Sequence, residues 1–127
     1  MNRKILLVDD DVDLVEMNRD FLVKNNYDVI FAYDGTDGLA KAREEKPDLI
    51  VLDVMMTEVG EGFEVARDLK GDDLTKNIPI IMLTSVNQEH GFSLTVGADS
   101  VWNPVDAFIE KPFGPEALKS KIEEMIR

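Results

Sequence analysis

Cysteine is absent from this sequence of 127 residues, and histidine occurs once, at His90. Without cysteine the chain can form neither a disulfide framework nor a thiolate metal site, and one histidine cannot supply a paired-imidazole site. No apolar run approaches the ~20 residues that a membrane span needs. The run after Lys4 ends at Asp9, too early for a secretory signal peptide. These absences agree with a cytoplasmic protein.

Basic residues are also few. Lysine and arginine number 14 against 26 aspartates and glutamates, so the net charge is −12. An acidic chain is repelled by a phosphate backbone and by an anionic membrane surface. We therefore expect no direct contact with nucleic acid and none with a membrane. The length suits a single domain over residues 1–127.

Five short apolar runs alternate with longer amphipathic segments. Runs of β-branched residues and leucine are typical of strands buried on both faces, as in a parallel sheet. The runs lie at 5–8, 29–32, 49–52, 80–83 and 107–109. Helical spacing is clear in the last segment, at Leu118, Ile122 and Met125, and weak over 87–96, where Gly91 interrupts it. The alternation predicts an α/β fold: one doubly wound, five-stranded parallel sheet with five helices.

Polar residues stand where these predicted strands end. Asp9 and Asp10 follow the first strand and Asp53 the third, while Thr84 follows the fourth and Lys111 the fifth. In open parallel sheets the functional site lies at the carboxyl ends of the strands. If the first and third strands are neighbours, the three carboxylates converge on one small site.

These residue types share a chemistry. Two carboxylates about 4 Å apart repel by about 4 kcal/mol at an effective dielectric of roughly 20, unless a cation is present. Mg²⁺ prefers such oxygen ligands. A hydroxyl (Thr84) and an ammonium (Lys111) can bind phosphoryl oxygens, and a carboxylate can accept a phosphoryl group. The set predicts phosphoryl transfer. A helix N-cap remains an alternative for Asp10 or Asp11, and another cap or a solvated loop position remains one for Asp53.

Five motifs, in order along the chain, resemble those of the receiver domain of two-component response regulators, the chemotaxis regulators included. Each motif is short and weak alone, but the ordered set covers nearly the whole chain and is highly specific. The motifs are Val8-Asp9-Asp10, Leu52-Asp53-Val54-Met55-Met56, Leu83-Thr84-Ser85, Gly97-Ala98-Asp99 and Lys111-Pro112-Phe113.

For the metal site, the resemblance implies a ligand set. Asp10 and Asp53 bind Mg²⁺ together with the backbone carbonyl of Met55, and Asp9 acts mainly through water. The expected cofactor is therefore Mg²⁺, held by residues that follow the first and third predicted strands.

For the phosphoryl group, the resemblance implies that Asp53 is the acceptor and that Lys111 contacts a phosphoryl oxygen. Thr84 moves toward the phosphate on activation. Phe108 matches an aromatic residue that turns inward with it. An ordinary core position is the other interpretation, and both can hold at once.

The fold and function that the resemblance implies are those of a phosphorelay switch. The sheet order is the flavodoxin-like 2-1-3-4-5. A sensor histidine kinase or a phosphotransfer protein donates the phosphoryl group. The face formed by the fourth helix, fifth strand and fifth helix then signals to a downstream output protein or domain, and a phosphorylation-dependent dimer is compatible with this. The chain catalyses only its own phosphorylation and dephosphorylation.

Two departures from the family pattern stand out. Thr57 occupies the position, four residues after the acceptor, where the family usually has proline. A longer connection over 100–106, with Trp102, precedes the fifth strand. Packing of Trp102 over a short fourth helix is the favoured interpretation, and partner docking is the alternative.

Two other functions share part of this pattern. A phosphohydrolase of the haloacid dehalogenase type places its nucleophile after the first strand in an Asp-x-Asp-x-Thr/Val pattern, and Asp13 stands where the Thr or Val belongs. A flavodoxin-like binder needs a first loop that cradles phosphate, which the acids at 9–11 would repel. Both functions are therefore less well supported.

Overall fold

Strands and helices alternate through the chain, as the sequence predicts. The computed structural model describes residues 2–53, 61–85, 106–111 and 113–126. The elements are β1 (Lys4–Val8), α1 (Val12–Lys24), β2 (Asp28–Ala32), α2 (Gly35–Glu45), β3 (Leu49–Asp53), α3 (Glu61–Lys70), β4 (Ile80–Ser85), β5 (Ala107–Lys111) and α4 (Pro115–Ile126). The helix predicted over 87–96 lies outside the described residues, so α4 corresponds to the fifth predicted helix.

All five strands form one parallel sheet in the order β2-β1-β3-β4-β5. The predicted fold class and strand order are thus confirmed. β5 continues to Lys111, beyond the apolar run that ends at Ile109, because its pairing with β4 extends to Ser85. Thr84 and Lys111, which the sequence predicts to follow the fourth and fifth strands, therefore belong to β4 and β5 themselves.

The core consists of two layers, one on each face of the sheet. Leu6, Ile50 and Met82 pack into one layer, and the alternate strand positions, such as Leu7 and Val51, pack into the other. Successive strand residues point to opposite faces, and helices cover both. This is why the strands are continuous apolar runs rather than alternating ones.

The close approach of α2 to β1 depends on Gly38. A Cβ at this position would lie 2.9 Å from Val8 Cγ1 and 3.0 Å from Cγ2. Val8 is stiff at χ1 and buried. We expect Gly38→Ala to lower the free energy of unfolding by about 1 kcal/mol, because overpacking costs about 1–3 kcal/mol and alanine recovers up to about 1 kcal/mol of helix propensity.

Urea unfolding tests this expectation, with Gly71→Ala as the matched control. A Cβ at Gly71 meets nothing closer than 3.4 Å, at Arg67 O. The control should stay within about 0.5 kcal/mol of wild type. Equal stability of the two variants would show that the Val8 contact is unimportant.

Candidate functional site

Three carboxylates converge at the carboxyl edge of the sheet. Val8 pairs with Leu52 across β1 and β3. Asp9, which directly follows β1, and Asp53, the last residue of β3, are therefore the next residues along two adjacent strands. One carboxylate oxygen from each of Asp9, Asp10 and Asp53 lies within 4.8 Å of the others. Asp9 and Asp53 are buried, whereas Asp10 is exposed. The cluster is therefore rooted in the sheet and open to solvent on one side.

Backbone hydrogen bonds hold the β1 end of the cluster. The Asp9 N–H donates to Ala32 O at 3.1 Å and continues the ladder with β2. Asp9 Oδ1 accepts from the Asp11 N–H at 2.9 Å. Asp11 itself caps α1, since its Oδ1 accepts from the Leu14 N–H at 3.1 Å. The N-cap role thus belongs to Asp11 rather than Asp10.

Thr84 lies on the neighbouring strand, one position beyond the cluster. Asp53 pairs with Leu83, so Thr84 is the next residue toward the carboxyl edge, and it is buried. The backbone of Lys111 pairs with Ser85 at the same edge. Met55 and the side chain of Lys111 lie outside the described part of the chain.

Phe108 lies in the middle of β5 and pairs with Met82. Its half-buried ring packs against the core layer that contains Leu6 and Ile50. A core role for Phe108 is therefore observed, and movement on activation stays a prediction.

The cluster suits a divalent cation. Its donors are carboxylate oxygens, the hard ligands that Mg²⁺ and Ca²⁺ prefer. Three anionic groups this close repel one another, and a bound cation removes that repulsion. The exposed side at Asp10 leaves room for water, which Mg²⁺ characteristically retains. Within the described residues, these acids could bind a metal.

In the part of the chain that the structure describes, no helix has both the length and the apolar character needed to cross a membrane.

The chain is similar to known proteins over nearly its whole length. The profile of the response regulator receiver domain family matches residues 5–123. PhoP of Bacillus subtilis, the alkaline phosphatase synthesis transcriptional regulatory protein, is 40% identical over 129 residues, which cover 100% of this chain and 50% of PhoP. The phosphate regulon transcriptional regulatory protein PhoB of Pseudomonas aeruginosa is 37% identical and covered to 53%. This chain thus spans about half the length of these relatives.

Solved structures of response regulators are also similar to this chain. The chemotaxis response regulator CheY4 of Vibrio cholerae superimposes with a TM-score of 0.82 at 30% identity, and the match covers 98% of each chain. A CheY-like receiver domain protein of Methanospirillum hungatei gives a TM-score of 0.83 at 28% identity, covering 99% of this chain and 94% of that one.

Proposed function

Because this chain belongs to the response regulator receiver family, we propose that residues 1–127 form one receiver domain in which Asp53 accepts a phosphoryl group. The observation that carries the proposal is the convergence of Asp9, Asp10 and Asp53 at the carboxyl edge of the sheet. Helix capping accounts for the neighbouring acid Asp11. Carboxylate oxygens brought this close together are ligands of the kind that a divalent cation prefers.

The step is a displacement at phosphorus. An Asp53 carboxylate oxygen forms the new O–P bond, the P–N bond to the donor's histidine breaks, and its electron pair returns to the imidazole nitrogen. The product is an acyl phosphate. Burial of Asp53 to 3% exposure limits the water that competes for the phosphoryl group. We assign a hydrogen bond from the Thr84 hydroxyl and an ion pair with Lys111 to the transferred oxygens.

For the cofactor we propose Mg²⁺, held by Asp10, Asp53 and the backbone carbonyl of Met55, with Asp9 acting mainly through water. Bound Mg²⁺ supplies positive charge that offsets the repulsion between these carboxylates and the incoming phosphoryl oxygens. Asp10 and Asp53 each already place a carboxylate oxygen in the cluster, which supports their assignment as ligands.

The proposed role is a switch rather than a turnover enzyme. A sensor histidine kinase or a phosphotransfer protein in the cytoplasm donates the phosphoryl group, and the face that includes β5 and α4 signals to an output protein or domain. The names of PhoP and PhoB describe transcriptional regulators, which favours control of transcription as the output. Residues 1–127 carry a net charge of −12 and are repelled by a phosphate backbone, so we propose that they do not contact DNA themselves.

Two assays separate a switch from a phosphohydrolase. With acetyl phosphate and Mg²⁺, intact-mass measurement should show one phosphoryl group per chain, and excess EDTA should prevent its addition. With a generic aryl phosphate, the same protein should release no more than one molecule of the aryl alcohol per chain. Sustained turnover of the aryl phosphate would contradict the switch, and so would an absence of labelling by acetyl phosphate.

A further inference from the structure

A hydrogen-bonded clamp joins Ile80, the first residue of β4, to Asp106, the residue directly before β5. It lies at the amino ends of the strands, opposite the carboxylate cluster. The Asp106 N–H donates to Ile80 O at 2.9 Å, and Asp106 Oδ2 accepts from the Ile80 N–H at 2.8 Å. Lys70, the last residue of α3, places Nζ 3.1 Å from the same oxygen and also donates to Ile78 O at 3.0 Å. The clamp therefore joins α3, β4 and β5.

In the described part of the chain, the same arrangement is also found between β1 and β3. Asp48 immediately precedes β3; its N–H donates to Lys4 O at 2.8 Å, and its Oδ2 accepts from the Lys4 N–H at 2.8 Å. Arg3 provides the cation, 3.8 Å from Asp48 Oδ1. An aspartate directly before a strand thus fixes the start of that strand against its neighbour at two places.

The two clamps differ in what else holds their strands. β3 lies between β1 and β4, whereas β5 is one of the two edge strands and, among the described residues, pairs with β4 alone. A strand held on both sides has its register set twice over. A five-residue edge strand has one ladder, so a contact at the residue directly before it contributes more to fixing its register.

Register at β5 has a consequence at the other end of the strand. Lys111 is the last residue of β5 and pairs with Ser85, beside the strand that carries Thr84. A slip of one residue would displace Lys111 by about 3.3 Å along the sheet and turn its side chain to the opposite face. Such a slip would also break both hydrogen bonds between Asp106 and Ile80.

We propose that Asp106, held by Lys70, is a positioning residue for phosphoryl transfer. It fixes the register of β5 and thereby the position of Lys111 at the carboxyl ends of the strands, where Asp53 also lies. The inference rests on the proposed function, since it is the phosphoryl group that Lys111 serves. Asp106 touches none of the reacting groups and acts through the strand.

The test compares Asp106→Ala with Asp48→Ala, at a temperature where all variants are folded by circular dichroism. At saturating Mg²⁺, Asp106→Ala should lower the rate constant for uptake from acetyl phosphate by about tenfold, since a misplacement of about 1 Å can cost up to about a hundredfold. Asp48→Ala removes the matching clamp from a strand held on both sides and should keep the wild-type rate. The Kd for Mg²⁺, measured by calorimetry, should change in neither variant, because its ligands lie on or after β1 and β3.

Rescue and strand mobility provide independent readouts. Asp106→Asn keeps an oxygen that can accept from the Ile80 N–H and should stay within about threefold of the wild-type rate, because only the charged part of the interaction is lost. Amide hydrogen exchange in Ala107–Lys111 should be faster in Asp106→Ala than in wild type. Two results would overturn the positioning role alone, provided that wild type takes up phosphate. In one, Asp106→Ala takes up phosphate at the wild-type rate; in the other, Asp48→Ala loses as much of that rate as Asp106→Ala. A wild type that takes up no phosphate would instead contradict the proposed function.

Discussion

Asp53→Asn is expected to lower phosphoryl uptake from acetyl phosphate by at least about 100-fold, because an amide lacks the nucleophilic oxygen that forms the acyl phosphate, and loss of a nucleophile can cost up to about 10⁶ in rate. Asparagine has nearly the same shape as aspartate, so the buried position at the end of β3 should still be filled. The measurement is the amount of phosphoryl group per chain, by intact mass, over a time course with saturating Mg²⁺.

Asp11→Asn is the matched control for that variant. Asp11 is an exposed acid near the cluster, but its side chain caps α1, and asparagine is an equally good N-cap. This control should take up phosphate at the wild-type rate. If Asp53→Asn were labelled as fully as wild type, Asp53 could not be the acceptor. If both variants lost labelling equally, the loss would reflect charge rather than the nucleophile.

The same carboxylates should limit stability in the absence of metal. Asp53→Asn should raise the free energy of unfolding by about 1–3 kcal/mol without Mg²⁺, since like charges about 4 Å apart repel by about 4 kcal/mol at an effective dielectric of roughly 20. Thermal unfolding should show this as an increase in Tm of about 4–10 °C. Asp10→Asn should act in the same direction but less strongly, because Asp10 is exposed and water screens its charge.

Addition of Mg²⁺ should reduce the difference in stability between wild type and these variants. A ligand that binds only the folded state stabilises it by RT ln(1 + [L]/Kd), about 2.7 kcal/mol at a hundredfold excess over Kd. Wild type should gain this, and both asparagine variants should gain less. Asp13→Asn, which removes an exposed acid in the first turn of α1, should keep the wild-type response to Mg²⁺. A wild-type Tm that is identical with and without Mg²⁺ would contradict the metal site.

The fold follows from the sequence because its inner strands, such as β1 and β3, are buried on both faces. Continuous apolar runs such as 49–52 distinguish a doubly wound parallel sheet from an antiparallel one, whose strands would alternate. The acids that follow β1 and β3 then come together once these strands are neighbours. Adjacency itself is a property of the whole chain, so it came from the family resemblance and not from the spacing of the runs.

Other features were not predicted, for identifiable physical reasons. Asp106 and Ile80 are 26 residues apart, and no local pattern marks such a pair. The choice between Asp10 and Asp11 as the N-cap depends on which carboxylate reaches the Leu14 N–H, and only the three-dimensional structure shows this. The contact of Gly38 with Val8 likewise depends on how closely a helix approaches a strand. The roles of Met55 and Trp102 stay predictions, since both lie outside the described residues.

Direct mapping of the phosphoryl group on the wild-type protein is the most direct test of the central claim. After incubation with acetyl phosphate and Mg²⁺, borohydride reduction of the acyl phosphate and tandem mass spectrometry identify the modified carboxylate among the 26 aspartates and glutamates. We predict modification at Asp53 alone and none when EDTA replaces Mg²⁺. Modification at a different acid, or the same modification in EDTA, would contradict an Mg²⁺-dependent acceptor at the end of β3.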